Sequence, residues 1–439
     1  MKIALIDPSF YHQGRLAKFS RIGYFPLTLA RIAAYFPESC EVQLVYEKCQ
    51  EIPFDGNFDL VFFTTMGSNI VRAEELSAEF RKRGAITIAG GYTVLPFMDR
   101  INPNFDAIVQ GDAEDTIPFI LEDAKKGPLK KFYESASPSI AKLPPPRIDL
   151  IPLEIVGNVI PLEISRGCPN ACDFCAITAL YTSKFRRRDE NEVLIELEML
   201  IKRFGKQRLI FFTDPNFTAD LENAKSLLRK LIGKGVHWLA SVDIRCLKDD
   251  EFLKLAKKSG CITLQIGLET LSLDELNGIN KKFATKTNYG DLIKRAHSFG
   301  IPITALLMVG FDTDTPAKFR ELVKFLITHK VSMSVIHPIL PIPGTPLFRK
   351  WKSEGRTLPV DPREADGLHI HFIPKNFTPK ELEEAYWQMN NQILSYRSIF
   401  RRFIGGHIFN NPRAFLIMFL TNIFARKVAA GRLPPGSYE

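Results

Sequence analysis

Ser165-Arg166-Gly167-Cys168-Pro169-Asn170-Ala171-Cys172-Asp173-Phe174-Cys175 is the stretch on which the reading of this chain turns. Three of the seven cysteines fall within it, spaced C-x3-C-x2-C, directly after a predicted strand at residues 161–165. Thiolates are the usual ligands of iron–sulfur clusters, and a cubane normally takes four. Here three are close, so a 4Fe-4S cluster on Cys168, Cys172 and Cys175 would keep one iron open. Structural zinc competes, but it wants four closed ligands. Cys40, Cys49, Cys246 and Cys261 show no motif that supplies the fourth. Cys246 and Cys261 read as ordinary barrel residues. Seven cysteines in 439 residues are not a disulfide framework.

Outward from the cysteines, apolar runs alternate with amphipathic stretches. Strands are predicted at 161–165, 208–213, 238–243, 263–268, 303–310 and 332–340. Helices fall at 190–204, 221–233, 249–259, 289–298 and 316–329. Six such units make a partial or complete βα barrel, with its chemistry at the strand carboxyl ends. Asp214, Asp243, Glu269 and Gly310 sit at those ends. Upstream, strands at 2–6, 41–46, 60–64, 85–89 and 107–110 alternate with helices, which predicts a doubly wound, Rossmann-like parallel sheet over 1–135. Its carboxyl-end loops carry Thr64, Thr65, Gly67 and Ser68, then Gly90, Gly91 and Tyr92, then Gly111. Residues that small let a bulky ligand approach the backbone. The run Leu143-Pro144-Pro145-Pro146 marks a linker at 136–157. The barrel spans 158–349, and a mostly helical region fills 350–439.

Composition is globular, not disordered: 45% hydrophobic and 24% charged residues. A net charge of +9 admits acidic partners without choosing among them. No nucleic-acid partner is expected. The start MKIALIDPSF is broken by Asp7-Pro8 too early for a signal peptide. No apolar run reaches the roughly 18–20 residues of a membrane span. A cytoplasmic protein is expected.

The cysteine motif, with the aromatic Phe174 before its third cysteine, resembles the radical S-adenosylmethionine (radical SAM) superfamily. Further motifs of residues 158–345 resemble the same family in order: Phe211–Asn216, Ser241–Arg245, Gly267-Leu268-Glu269-Thr270, Leu307–Phe311 with Gly310, and Pro341–Pro346. The resemblance implies that the open iron binds the amino and carboxylate groups of S-adenosylmethionine. One electron, from a reductant such as flavodoxin or ferredoxin, then cleaves it to a 5′-deoxyadenosyl radical that takes hydrogen from an unactivated carbon. Asp214, Asp243 and Glu269 would bond the ribose, and Arg245 the methionyl carboxylate. Any one of those carboxylates also reads as an ion-paired structural group.

Residues 1–135 resemble the cobalamin-binding domain fused ahead of many such enzymes. The histidine ligand motif D-x-H-x-x-G is broken here, since Asp7 and His12 are mis-spaced, so His12 is a poor axial ligand. The segments FTPKELEEAYW (377–387) and SYRSIFRRF (395–403) resemble a cobalamin-type subgroup that modifies hopanoids, other lipids and bacteriochlorophylls. That implies a hydrophobic small-molecule substrate and C-methylation of an unactivated carbon. Ring closure or carbon–carbon coupling is the alternative, and a non-catalytic sensor binding cluster and cobalamin is a third reading. The apolar run at 414–425, with Phe415, Phe419 and Phe424, defaults to a core helix. Its flanks Arg413, Arg426 and Lys427 favour a substrate lid or a peripheral contact at the inner face of the membrane. The run Lys184, Arg186, Arg187 and Arg188 reads equally as a solvated helix start or as an anion site.

Overall fold

The strand Lys2–Asp7 is buried almost throughout, as the interior of a parallel sheet covered on both faces demands. It anchors the first of two large sheets in the computed structural model, which describes residues 1–91, 97–181, 184–281, 288–405 and 410–432. Across this sheet the strands run Glu41–Tyr46, Lys2–Asp7, Leu60–Thr64, Ile86–Gly90, Ala107–Gln110 and Phe132–Glu134, every pair parallel. The strand order reverses between Lys2–Asp7 and Leu60–Thr64, the switch point where doubly wound sheets open a crevice.

The second sheet curls through Val156–Leu162, Leu209–Phe212, His237–Val242, Cys261–Glu269, Ile303–Val309 and Met333–Pro338, again all parallel. These are the six strands of a half-barrel. A seventh strand, Ile22–Tyr24, comes from the N-terminal part and pairs with Val156–Leu162. The Phe25 amide continues that pairing to Val159 O at 3.1 Å. Gly157 makes the approach possible, since a Cβ there would lie 2.4 Å from Ile22 O. The N-terminal unit thus contributes an edge strand to the barrel sheet.

Helix starts follow side-chain chemistry. Asp189, Asp220 and Asp249 cap Glu190–Phe204, Leu221–Leu231 and Asp250–Lys258 by accepting from backbone amides of the first turn. Thr378 and Glu381 form a reciprocal capping box ahead of Pro379–Ile393. The C-terminal helices Tyr396–Phe403 and Pro412–Ala430 pack together over Ile262, near the amino end of a barrel strand. Helix Pro412–Ala430 has 19 residues, longer than the apolar run suggested. Ala414, Phe415, Met418 and Asn422 point inward, while Leu416, Leu420 and Phe424 are exposed. Among the described residues no helix is long and apolar enough to cross a membrane.

Candidate active site

The cysteine loop leaves the first barrel strand through Gly167, whose φ is +81°. A Cβ there would sit 1.7 Å from Lys184 O, so only glycine fits. Three backbone contacts pin the loop. The Asp173 amide donates to Ile279 O at 3.1 Å, the Leu347 amide donates to Asp173 O at 3.0 Å, and Asn280 Nδ2 donates to Ala171 O at 2.8 Å. The turn Gly344-Thr345-Pro346 supports Leu347 in turn. Gly344 has φ +90°, Thr345 caps the helix Pro346–Ser353, and Pro346 is its first residue. Phe174 is half-buried against the barrel core.

Burial pushes all three thiols up, Cys172 to about 12. The charge of Cys168 raises Cys172 and Cys175 further, and the nearby Lys281 opposes this at Cys172. Thiols gathered in a desolvated loop are costly to ionise without a cation, which is the setting a metal cluster relieves. Among the described residues no three His, Cys, Asp or Glu side chains are grouped as ligands of a single metal ion. In a cubane each thiolate takes its own iron, and the donor set fits that group. Cys246 and Cys261 are buried elsewhere in the barrel core.

The polar residues at the strand ends divide into two kinds. Asp243 faces the cysteine loop: Asn170 Nδ2 donates to it at 3.2 Å, and Arg245 holds it through Nε at 2.9 Å and Nη2 at 2.6 Å. Burial alone would raise this carboxyl, but Arg245 brings it below its ordinary value. Glu269 ends its strand at φ +61°, a strained conformation for a non-glycine residue, beside a register shift that re-aims its side chain. Its carboxylate meets Lys281 Nζ at 2.5 Å, and Lys281 also donates to Gly267 O at 2.8 Å. Gly267 leaves room for that pair, because a Cβ would lie 2.3 Å from Glu269 Oε1.

Asp214 and Gly310 are held by the protein itself. Asp214 is fully buried, accepts from Ser165 Oγ and from the Ile164 amide, and is pushed up to about 7 by burial. Gly310, at φ +106°, lies under Phe372, whose Cζ would be 2.4 Å from a Cβ.

In the N-terminal sheet, Thr64 ends its strand opposite Gly90, and Thr65 bonds Gly90 O through both its amide and its hydroxyl. The small residues there answer to contacts within the chain. A Cβ on Gly67 would meet Ala365 O at 2.2 Å, on Gly91 Thr65 O at 2.6 Å, and on Gly111 the Ser135 Cβ at 3.0 Å. Gly67-Ser68 begins the short turn Gly67–Asn69. Tyr92 lies outside the described residues. His12 sits in a two-residue hairpin with Arg15–Leu16.

Sequence reasoning gave no role to three residues of the site, two of them inside quoted motifs. Asn216 accepts from the Asp243 amide at 3.1 Å and turns its amide to Cys168. Asn170 lies inside the cysteine motif. Lys281 has no motif at all, being placed by the chain's return after Glu269. The basic run is divided: Lys184 and Arg187 are exposed, as a solvated helix start expects, while Arg186 and Arg188 turn inward onto acids. Arg186 meets Asp112 at 2.7 Å, and the buried Arg188 meets Glu196 at 2.8 Å, as Arg31 does at 2.6 Å. With Arg166, which meets Glu114 at 2.5 Å and Asp112 at 3.2 Å, these residues bind the carboxyl end of the N-terminal sheet to the cysteine loop.

Residues 162–326 match the Radical SAM superfamily. The chain is 26% identical to a bacteriochlorophyllide d C-12(1)-methyltransferase of Chlorobaculum tepidum, over 92% of this chain and 89% of that protein. It is 25% identical to a hopanoid C-2 methylase of Rhodopseudomonas palustris, over 83% of this chain and 69% of that protein. Its fold is similar to that of the radical S-adenosylmethionine methyltransferase TsrM of Kitasatospora setae, solved with cobalamin and a [4Fe-4S] cluster bound. The TM-score is 0.70 at 14% identity, covering 98% of this chain and 99% of that one. The half-barrel thus carries the match to the Radical SAM superfamily, in a chain that shares the fold of TsrM over nearly its whole length.

Proposed function

We propose that this protein is a cobalamin-dependent radical SAM methyltransferase that C-methylates an unactivated carbon of a hydrophobic, lipid- or pigment-like substrate. One observation carries the reading. The carboxyl end of a doubly wound sheet is fastened by Arg166 and Arg186 against the loop bearing Cys168, Cys172 and Cys175. Two sites that need to exchange reactive groups then open toward each other. When bound, the cluster and S-adenosylmethionine supply a carbon radical, and cobalamin carries the methyl group. In this reading residues 1–135 hold cobalamin at Thr64–Ser68, Gly90, Gly91 and Gly111. Residues 158–349 hold the cluster, 136–157 join the two, and 350–439 cover the substrate or meet a membrane. Asp243 with Arg245, and Glu269 with Lys281, would orient S-adenosylmethionine from two sides. The names of the similar methyltransferases favour methyl transfer over ring closure or coupling.

A small-molecule substrate and an electron donor go with a radical SAM domain. Flavodoxin or ferredoxin as that donor, and peripheral contact with the inner face of a membrane, are part of this proposal. The test is anaerobic reaction of reconstituted protein with methyl-labelled S-adenosylmethionine, a reductant and membrane extract. Label in a lipid or pigment, with 5′-deoxyadenosine released, supports the reading. Release of 5′-deoxyadenosine with an unlabelled, newly cyclised product would replace methylation by ring closure. No 5′-deoxyadenosine under any redox condition would overturn the enzyme reading.

A further inference from the structure

Beneath the C-terminal helices lies a cavity of about 290 Å³ whose lining, among the described residues, contains no acidic side chain. Lys294, Lys330 and Arg402 supply its charge. Arg402 is only 3% exposed. It donates to Val331 O at 2.9 Å, Ser332 O at 3.1 Å, Ile393 O at 3.2 Å and Asn422 Oδ1 at 2.7 Å. All these partners are neutral, and among the described residues its Nε has no acceptor. Burial without a counter-charge pulls this guanidinium down to about 10. A buried cation without an anion destabilises a fold strongly unless a charge arrives from outside. The lysines add to that demand. Lys330 Nζ donates to the Arg401 carbonyl at 2.5 Å, and Lys294 is solvent-exposed.

The cavity opens beside an apolar surface. Ile404 lines it and is exposed. One turn and two turns back on the same helix, Phe400 and Tyr396 are exposed as well, each above 60%. Leu416 and Leu420, on the helix packed against this one, are more than half exposed. Exposed basic residues Arg397, Arg401 and Arg413 rim this face. Large apolar side chains left in water beside basic ones suit an anionic lipid surface.

We infer that this cavity holds the phosphate of an anionic phospholipid while the exposed apolar face of the C-terminal helices sits in the same bilayer. Arg402 supplies a buried charge that its neutral acceptors do not compensate, and the lysines offer point charges around it. The inference rests on the membrane contact proposed above and is independent of methyl transfer.

The test is co-sedimentation of the reconstituted full chain with vesicles of phosphatidylcholine containing phosphatidylglycerol, against phosphatidylcholine alone. Wild type should bind only the anionic vesicles. Lys294→Gln with Lys330→Gln should weaken that binding about tenfold or more, since each basic group near such a surface contributes roughly a fivefold factor. Leu416→Gln with Leu420→Gln should weaken it similarly. Both variants should release 5′-deoxyadenosine as wild type does. Arg402→Met reports on the cavity only if it folds, so the lysine pair carries the test. Unchanged binding by the lysine variant overturns the cavity assignment, and equal binding to both vesicle types overturns the anionic-lipid assignment. Thermal stabilisation by inorganic phosphate without vesicle binding would make it a soluble-anion site instead. A dimer lost on Leu416→Gln with Leu420→Gln, without vesicle binding, would make the apolar face a self-association surface. Vesicle binding as expected with no methyl label anywhere would sink the proposed reaction and leave this inference standing.

Discussion

The guanidinium of Arg166, two residues before Cys168, meets the carboxylate of Glu114 in the N-terminal unit at 2.5 Å. The same side chain reaches Asp112 at 3.2 Å and Glu163 at 2.6 Å, and it is 11% exposed. Arg186 holds Asp112 from the other side of the cysteine loop. One short stretch, Gly111-Asp112-Ala113-Glu114, therefore fixes the position of the first sheet relative to the thiols. An ion network this buried acts as a rigid spacer, because every member loses its partners if the units shift.

Glu114→Gln should separate the two half-reactions. The amide keeps the shape and loses the charge, so the fold, iron content and 5′-deoxyadenosine release should stay within about twofold of wild type. Methyl transfer should fall by roughly tenfold or more, since misplacement by about 1 Å can cost a hundredfold. The informative quantity is the ratio of methylated product to 5′-deoxyadenosine. Equal loss of both would reduce Glu114 to a fold-stabilising residue. Arg166→Met, which strands Glu114 and Glu163 while Asp112 keeps Arg186, should cost about 3–5 kcal/mol in thermal or denaturant unfolding.

Replacing Cys168, Cys172 or Cys175 with Ala should abolish cluster assembly and with it 5′-deoxyadenosine release. Iron analysis and the charge-transfer absorbance of reconstituted protein check this directly. Cys246→Ala and Cys261→Ala should retain full iron content and lose only about 1 kcal/mol of stability, from a small cavity in the barrel core. Iron retained in any of the first three variants would mean the cysteine loop is not the cluster site.

The Glu269–Lys281 pair offers a sharper probe of the cofactor side. Gly267→Ala would press a methyl group to 2.3 Å from Glu269 Oε1 and 2.8 Å from Lys281 Nζ. The pair must then part. S-adenosylmethionine affinity, measured by equilibrium binding to the reconstituted protein, should fall at least about tenfold with iron content unchanged. Glu269→Gln leaves Lys281 buried without its counter-charge and should lower stability by about 3–5 kcal/mol. Affinity unchanged in Gly267→Ala would remove this pair from the cofactor site.

The parallel sheets were legible because their strands are near-continuous apolar runs between turn residues, which is what burial on both faces writes into a sequence. The cysteine loop was legible because its chemistry is local. The strand Ile22–Tyr24 was not, being three residues long and defined by a partner more than 130 positions away. Lys281 escaped for a related reason, since its partner is set by the return of the chain around the barrel, and Asn216 stood inside the motif Phe211–Asn216 without a role. The glycines of the N-terminal loops were read as room for a ligand. Contacts with Ala365, Thr65 and Ser135 account for three of them, and no local pattern encodes such contacts. The basic run at 184–188 shows the same limit: its acids lie at Asp112 and Glu196.

Asp214 gives a pH prediction with a defined sign. Burial raises its folded value to about 7, from an unfolded value near 3.9. The neutral carboxyl is the form the fold favours, so its contribution is fully present below about pH 4 and is lost as pH rises through 7. Across that window the fully buried group accounts for up to about 4 kcal/mol. Asp214→Asn keeps an acceptor for Ser165 and removes the ionisation. Apoprotein melts should show this variant gaining on wild type between about pH 4 and pH 7, and no further above it. Parallel melting curves across that range would show that Asp214 titrates normally.

Phe419 and Leu420 are neighbours with opposite roles, and the pair decides how the apolar run at 414–425 is used. The Phe419 ring packs edge-on against Phe403, with centroids 5.5 Å apart, at the join of the two C-terminal helices. Leu420 is 57% exposed. Sequence alone marks both as members of one apolar run, and Phe419 looks like a candidate membrane residue. The structure reverses that expectation for Phe419. Phe419→Glu would place a charge against Phe403 and should cost several kcal/mol, seen as a lowered melting temperature. Leu420→Glu changes a side chain that lies more than half in water and should change stability by no more than about 0.5 kcal/mol. Its effect should appear instead as weaker binding to anionic vesicles, through lost apolar contact and added negative charge. Equal destabilisation by the two substitutions would mean that the whole run is core and that the helix presents no free face.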